Sequence, residues 1–249
     1  MIAATGLMVE AWIAASSASV KTVVSGGRAA ELAGLLDAAV AEGGRAIVSF
    51  GIAGGLSEDL PPGTCLVGSE VVHAGKLYRA DAAWSGHLAQ RLTIPNLEGV
   101  EPRCRRQACR RQPGGQATRL RPCRHRLAGV DRVLSIPCDK RALGAATGAA
   151  AVDMESHVVA NLAARHGLPF AVLRVIADPV GRAIPAAALE AMRSDGTLGT
   201  AVACVRSLVR HPGQVPALFR VAVDTSRALL ALRRCVRSLG PGLGFFERG

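Results

Sequence analysis

The chain has 249 residues, 49% of them hydrophobic but only 3% aromatic, and a formal net charge of +11. That length fits one large α/β domain or two small ones, with a core mostly of Ala, Val, Leu and Ile, and no run approaches the roughly 18–20 apolar residues of a membrane-spanning helix. The charge is uneven: residues 103–126 hold nine Arg and no acid, residues 205–249 carry a net +6, and the rest of the chain is left at −4.

In chain order, "MIAATGLMVEA" suggests a strand running into a turn, and "VKTVVSG" is a short β-branched run. The apolar spacing of "AAELAGLLDAAVAEGG" predicts a helix that stops at Gly43-Gly44. "RAIVSFGIAGGL" reads as a buried strand meeting a glycine-rich loop, "GTCLVGSEVVHAGKLYR" as further strand, and "LAGVDRVLSI" as strand again. "KRALGAATGAA" suggests a short helix, and "AVDMESHVVANLAARHGLPFAVLRVIADP" a helix followed by a buried strand. Residues 199–239 look purely helical, broken at Pro212 and Pro216, with an apolar stripe of Leu218, Ala222, Leu229, Leu232, Val236 and Leu239 opposite Arg220, Arg227 and Arg234. Strands alternating with helices predict an α/β fold with a largely parallel sheet. The N-terminus lacks a basic leader region and carries Glu10 in its apolar part, so it reads as a first strand rather than a signal peptide. Seven irregularly spaced cysteines then suggest a reduced, cytoplasmic protein.

Asp153, Glu155, Arg174 and Asp178 stand where packing alone would not put them. Asp178 ends an apolar run, and ligands of open α/β sheets bind outside the carboxyl ends of strands; the alternative is a cap for whatever follows Pro179. Glu155 stands at a helix start, where the dipole favours an anion. Arg174 interrupts "FAVLRVI", and a charge inside a central strand is expensive unless paired or functional. Glu10 follows the first strand at the sheet's carboxyl edge, either as a cap or as a functional acid. The turn "FGIAGGL" lacks the dinucleotide spacing, but its small residues let backbone N–H groups approach a ligand.

"VSFGIAGGLSEDLPPGTCLVGSEVV" and "AAAVDMESHVVANLAARHGLPFAVLRVIAD", supported by "GLMVEA", resemble the nucleoside phosphorylase and methylthioadenosine/adenosylhomocysteine nucleosidase superfamily over about residues 1–90 and 127–182. The resemblance implies a three-layer α/β/α domain with a mixed, largely parallel twisted sheet over residues 1–198, and cleavage of the N-glycosidic bond of a purine nucleoside. Asp178 would protonate or hydrogen-bond purine N7, help worth ~10²–10⁴-fold in such reactions. Glu155 would accept hydrogen bonds from the ribose hydroxyls, with Met154 packed on the sugar. Arg174 would bind phosphate or orient water, Glu10 would activate water in a hydrolase, and Gly51, Ala53 and Gly54 would line the sugar and nucleophile pocket. Two family serines are replaced, by Ile52 in the glycine loop and by Ala177 before the catalytic aspartate.

"AATGAAAVDMESHVVA" and the basic C-terminal extension over residues 199–249 resemble the hopanoid-associated phosphorylase subgroup. That implies adenine release from adenosylhopane, a lipid-linked nucleoside, by phosphorolysis, with hydrolysis of the nucleosidase type as the alternative. The expected partners are the nucleoside, inorganic phosphate as co-substrate in a phosphorylase, further copies of the chain in a homo-oligomer, and the inner membrane face through the C-terminal helix. A non-catalytic membrane- or nucleic-acid-binding protein on this fold is the competing class. No cofactor, metal or specific nucleic acid is expected. Within the Arg/Cys-rich insert at 95–126, Cys104, Cys109, Cys123 and His125 fit no tight zinc spacing, and no aromatic residue is present to stack bases. The segment reads as a disordered loop or as a shifted reading frame. It offers no apolar face to bury, so limited proteolysis should cut within residues 100–126 first; a protease-resistant, metal-dependent fragment there would revive the zinc reading.

Overall fold

The computed structural model describes residues 1–26, 28–92, 125–193 and 212–245. Eight strands form one mixed sheet: β1 (Ile2–Thr5), β2 (Lys21–Val24), β3 (Ile47–Gly55), β4 (Cys65–His73), β5 (Lys76–Arg79), β6 (His125–Gly129), β7 (Ala151–Asp153) and β8 (Phe170–Asp178). Among the described residues the helices are α1 (Met8–Ala15), α2 (Ala29–Ala41), α3 (Ala82–Leu92), α4 (Pro137–Thr147), α5 (Ser156–His166), α6 (Ala186–Arg193) and α7 (Val215–Leu239). Among the described pairings, β1–β2, β1–β3, β3–β8, β4–β6 and β6–β7 are parallel, and β3–β7, β4–β5 and β4–β8 are antiparallel. The strand order is β2-β1-β3-β7-β6-β4-β5, with β8 bonded to both β3 and β4. Strands β3, β8, β4, β6 and β7 therefore close on themselves, and β8 has a hydrogen-bonded neighbour on each side.

Burial on both faces explains the near-continuous apolar runs of β3 and β8. On one face α2 and α5 bring Leu32, Leu36, Val159, Leu162 and Ala163 against Ile47, Val172 and Ile176. On the other, Ala14 of α1, Trp84 and Leu88 of α3, and Ala228, Leu232, Val236 and Leu239 of α7 cover Val48, Phe50, Leu173 and Val175. The result is the three-layer α/β/α arrangement expected from the sequence.

Three local readings change. "GLMVEA" is not a turn but the start of α1, which places Glu10 within that helix's first turn. "AVD" is a short strand, β7, ahead of α5. Residues His125 and Arg126 begin β6, so the body resumes two residues before the insert was expected to end; Cys104, Cys109 and Cys123 lie outside the described residues.

The C-terminal helix forms as predicted, with Pro216 tolerated in its first turn because that position needs no N–H donor. The second half of its apolar stripe, Leu232, Val236 and Leu239, is buried against the body, with Leu218 and Leu229 half-buried and Ala222 exposed. Arg220, Arg227 and Arg234 point outward. That packing removes most of the apolar contribution on which membrane contact through this helix was expected to draw. No described helix is long and apolar enough to cross a membrane. Leu232 is fully buried between α7 and the sheet, so Leu232→Ala should cost about 2–5 kcal/mol in urea unfolding. Truncation after Arg210 should leave a chain that does not fold cooperatively; a cooperative transition in the truncated chain would show α7 to be dispensable.

Candidate active site

Arg174 sits in the middle of β8, opposite Gly51 of β3 and Leu66 of β4, and is completely buried. Its guanidinium is surrounded. Nη2 donates to Ser49 Oγ at 2.6 Å and to Glu155 Oε2 at 3.2 Å, and Nη1 donates to the Ile52 carbonyl at 3.3 Å. Nε lies 2.9 Å from Asp153 Oδ2, an ion pair whose N–H is not aimed well enough to make a hydrogen bond. Burial works against the cation, but Asp153, Glu155 and Glu10 outweigh it and hold Arg174 more firmly charged than a free arginine.

Each carboxylate reaches this point from a different segment. Glu10 folds back over the start of α1, where Oε2 accepts from the Gly6 and Leu7 N–H groups at 2.9 Å each. Its Oε1 crosses to β3 and accepts from Ile52 N–H at 2.8 Å. Both oxygens are thus held by backbone N–H groups, one at the start of α1 and the other on β3. Gly51 makes the approach feasible. Its φ is +152°, and a Cβ there would lie 2.6 Å from Glu10 Oε1. Asp153 Oδ1 accepts from Glu155 N–H at 3.1 Å and Ser156 N–H at 2.7 Å, which fixes the entry to α5. Ser156 Oγ donates to Asp153 Oδ2 and meets Ser49 Oγ at 2.9 Å, closing the network back to Arg174. Glu155 Oε1 lies 3.4 Å from Ser25 Oγ, and a Cβ on Gly6 would stand 2.8 Å from that same oxygen.

Three carboxylates against one guanidinium cannot all be comfortable as anions. Burial pushes the Glu10 carboxyl up from its ordinary range, against the pull of Arg174 and of the three backbone N–H groups. Burial likewise raises Glu155 to about 7, with Asp153 and Glu10 adding to the shift and Arg174 opposing it.

Asp178 lies four residues beyond Arg174 on β8, about 13 Å along the strand. It faces Gly54, where a Cβ would come within 3.6 Å of Oδ2. Its partner is Lys140 of α4, whose Nζ is 2.5 Å from Oδ2, and the lysine side chain is wholly buried. Burial raises the Asp178 carboxyl; Lys140 and Arg182 pull it down, and Asp224 pushes it up. The two polar clusters thus mark the middle and the carboxyl end of one strand.

Of the residues expected at the site, Glu155 and Arg174 meet directly, Glu10 adds its charge from the neighbouring backbone cradle, Gly51 and Gly54 face Glu10 and Asp178, and Met154 is half-buried next to Glu155. Ala53 is buried in the core with Ile47 and Ile176, not among these polar groups. Sequence reading missed Ser49, Ser156 and Lys140. Their signals were small: a serine inside "AIVSF", a serine after "DME", and a lysine within the charged run "DKR" at the start of a helix.

His73, Asp131 and His157 hold ligand atoms within 4.8 Å of one another. They are poorly shaped for one ion. His73 Nδ1 is 3.0 Å from the Gly129 carbonyl, His157 Nε2 is 3.1 Å from Asp131 Oδ1, and the rings stack at 4.1 Å with a 19° tilt. Near-parallel rings aim their lone pairs along parallel lines instead of at a common point.

The pattern of conserved positions that defines the phosphorylase superfamily matches residues 13–210. The chain belongs to the phosphorylase superfamily. The fold is similar to that of futalosine hydrolase of Helicobacter pylori, at a TM-score of 0.62 and 14% identity over 96% of this chain and 95% of that one. It is also similar to the 5′-methylthioadenosine/S-adenosylhomocysteine nucleosidase of Helicobacter pylori, at 0.57 and 14% identity over 95% and 97%. The S-adenosylhomocysteine nucleosidase of Streptococcus pyogenes matches at 0.57 and 14% identity over 94% of each chain. No curated protein sequence matches the chain significantly.

The raised Glu155 carboxyl has a measurable consequence. Between its ordinary value of 4.5 and about 7, the folded protein holds a proton that the unfolded chain has released. Unfolding free energy therefore falls as pH rises through that window, by up to about 3 kcal/mol from this group. Glu155→Gln should flatten the slope in urea titrations between pH 4.5 and 7.5, and an unchanged slope would contradict the assignment.

Proposed function

We propose that the protein cleaves the N-glycosidic bond of a purine nucleoside and that water is the acceptor. The purine lies toward Asp178, the ribose hydroxyls bond to Glu155 beside Met154, and water sits against Glu10. As the C1′–N9 bond breaks, Asp178 delivers a proton to N7 and the base leaves neutral. Positive charge grows on the sugar near the carboxylates, which stabilise it. Glu10 takes a proton from water as the water oxygen bonds to C1′. One lone pair of its Oε1 is taken by Ile52 N–H, and the other can serve the water.

The observation that carries the choice of water is the charge around Arg174. A phosphorylase needs cations free to meet an anion. Here the guanidinium is already shared between Asp153 and Glu155, with the Glu10 carboxylate close by. An incoming phosphate would meet more negative charge than positive. The raised Glu10 carboxyl also suits a base better than an ordinary one would. Phosphorolysis of adenosylhopane rests on the sequence resemblance alone, and the inward-facing stripe of α7 lends it no support.

The test is purine release from adenosine-type nucleosides, 5′-methylthioadenosine among them. Asp178→Asn and Glu10→Gln should each fold normally and lose about 10²-fold or more in kcat. Turnover within a few-fold of wild type in Asp178→Asn would remove that residue from the mechanism.

A further inference from the structure

Lys140 is out of place by every local rule. It lies in the first turns of α4, the positive end of the helix dipole, where a cation is disfavoured. Its side chain is wholly withdrawn from water, and a buried ammonium is tolerated only when paired and hydrogen-bonded. All three of its N–H donors have acceptors to meet: the Arg182 carbonyl at 2.9 Å, the Pro179 carbonyl at 3.3 Å and Asp178 Oδ2 at 2.5 Å. The two carbonyls belong to the turn that directly follows β8, closed by Arg182 N–H on the Pro179 carbonyl at 3.2 Å. Ala177, beside Asp178 on β8, has no side-chain donor to offer.

We propose that Lys140 is a positioning residue for proton delivery, clamping Asp178 Oδ2 so that the proton of the neutral acid is confined to Oδ1. The inference rests on the nucleosidase reading above. An ammonium N–H pointing at Oδ2 leaves no room for a carboxyl proton there. Among the described residues Oδ1 has no hydrogen bond or ion pair, so it is the atom left to face N7. During the step the Oδ1–H bond breaks, N7 gains the proton, and the electron pair of the C1′–N9 bond goes to the base. The carboxylate left behind is stabilised at once by the ammonium 2.5 Å away. Lys140 thus does two things: it fixes which oxygen is the acid, and it makes that acid stronger than its burial alone would.

The bland alternative is that Lys140 only staples the turn after β8. The pH dependence of purine release separates the two. A general acid fails once deprotonated, so kcat/KM falls with rising pH through the Asp178 pKa, and a neighbouring cation sets that limb lower than it would otherwise lie. In Lys140→Met the limb should move to higher pH by about one to three pH units. The kcat on the plateau below it should fall at least about tenfold through lost orientation, with KM within about threefold. Lys140→Arg, which keeps the charge, should leave the limb in place. Added to Asp178→Asn, Lys140→Met should cost little further. If the methionine variant does not fold, Lys140→Gln, which keeps N–H donors but no charge, should show the same shifted limb. A limb that stays put in the neutral variants, with plateau kcat within threefold of wild type while Asp178→Asn is inactive, would overturn the proposal and leave the nucleosidase reading standing. Full activity in Asp178→Asn would overturn both.

Discussion

A guanidinium in the middle of a doubly bonded central strand organises this molecule. Arg174 cannot be solvated where it lies, so the fold must bring it countercharge and acceptors from elsewhere. It draws Asp153 from the end of β7, Glu155 from the entry to α5, Ser49 from β3 and, through the wider field, Glu10 from α1. Removing one partner of a buried pair typically costs about 3–5 kcal/mol, because the other charge is stranded. The polar centre is therefore a condition of folding, and the same condition assembles three carboxylates at one point. An apolar residue at 174 would pack more easily but would give those acids no reason to meet.

The sheet then converts this centre into a directional site. β3 and β8 run parallel in register from Ile47–Phe170 to Ala53–Ile176, and an irregularity between Ala53 and Gly54 brings Gly54 opposite Asp178. Glycines stand where carboxylates come closest to backbone: Gly6 against Glu155, Gly51 against Glu10, Gly54 near Asp178. A side chain at Gly6 or Gly51 would occupy the volume the carboxyl group needs. One strand thus carries a buried arginine at its middle, ringed by acids from other segments, and a separately tuned acid at its end.

Much of this was legible in the sequence, for a physical reason. Arg174 and Asp178 interrupt an apolar run that nothing else disturbs, and such interruptions are costly enough to be informative. The glycines of "FGIAGGL" were visible but read as a loop, whereas Gly51, Gly54 and Gly55 lie inside β3, where neighbouring strands hold the backbone extended. Glu10 was legible as an acid near a strand end, but its helix was not, because "GLMVEA" is too short to show a period. Ser49 and Ser156 were hidden: a buried serine looks like any small residue until its partner is known. Lys140 was hidden more deeply. Its ion pair with Asp178 depends on α4 packing over the end of β8, a contact between segments about forty residues apart that no local pattern encodes. The apolar stripe of α7 was legible as a stripe, but periodicity shows that a face will be buried and not what buries it; here its second half, Leu232, Val236 and Leu239, packs on the body.

The charge balance of the centre yields the account's central claim. A site whose cation is already shared between carboxylates, and whose outlying acid has a raised pKa, suits a neutral nucleophile that must lose a proton. It does not suit an anion that must be held. The most direct measurement is to run the reaction in ¹⁸O-labelled water with saturating inorganic phosphate and to analyse the sugar product by mass spectrometry. The account predicts a free sugar carrying the label at C1. An unlabelled sugar 1-phosphate as the main product would contradict it.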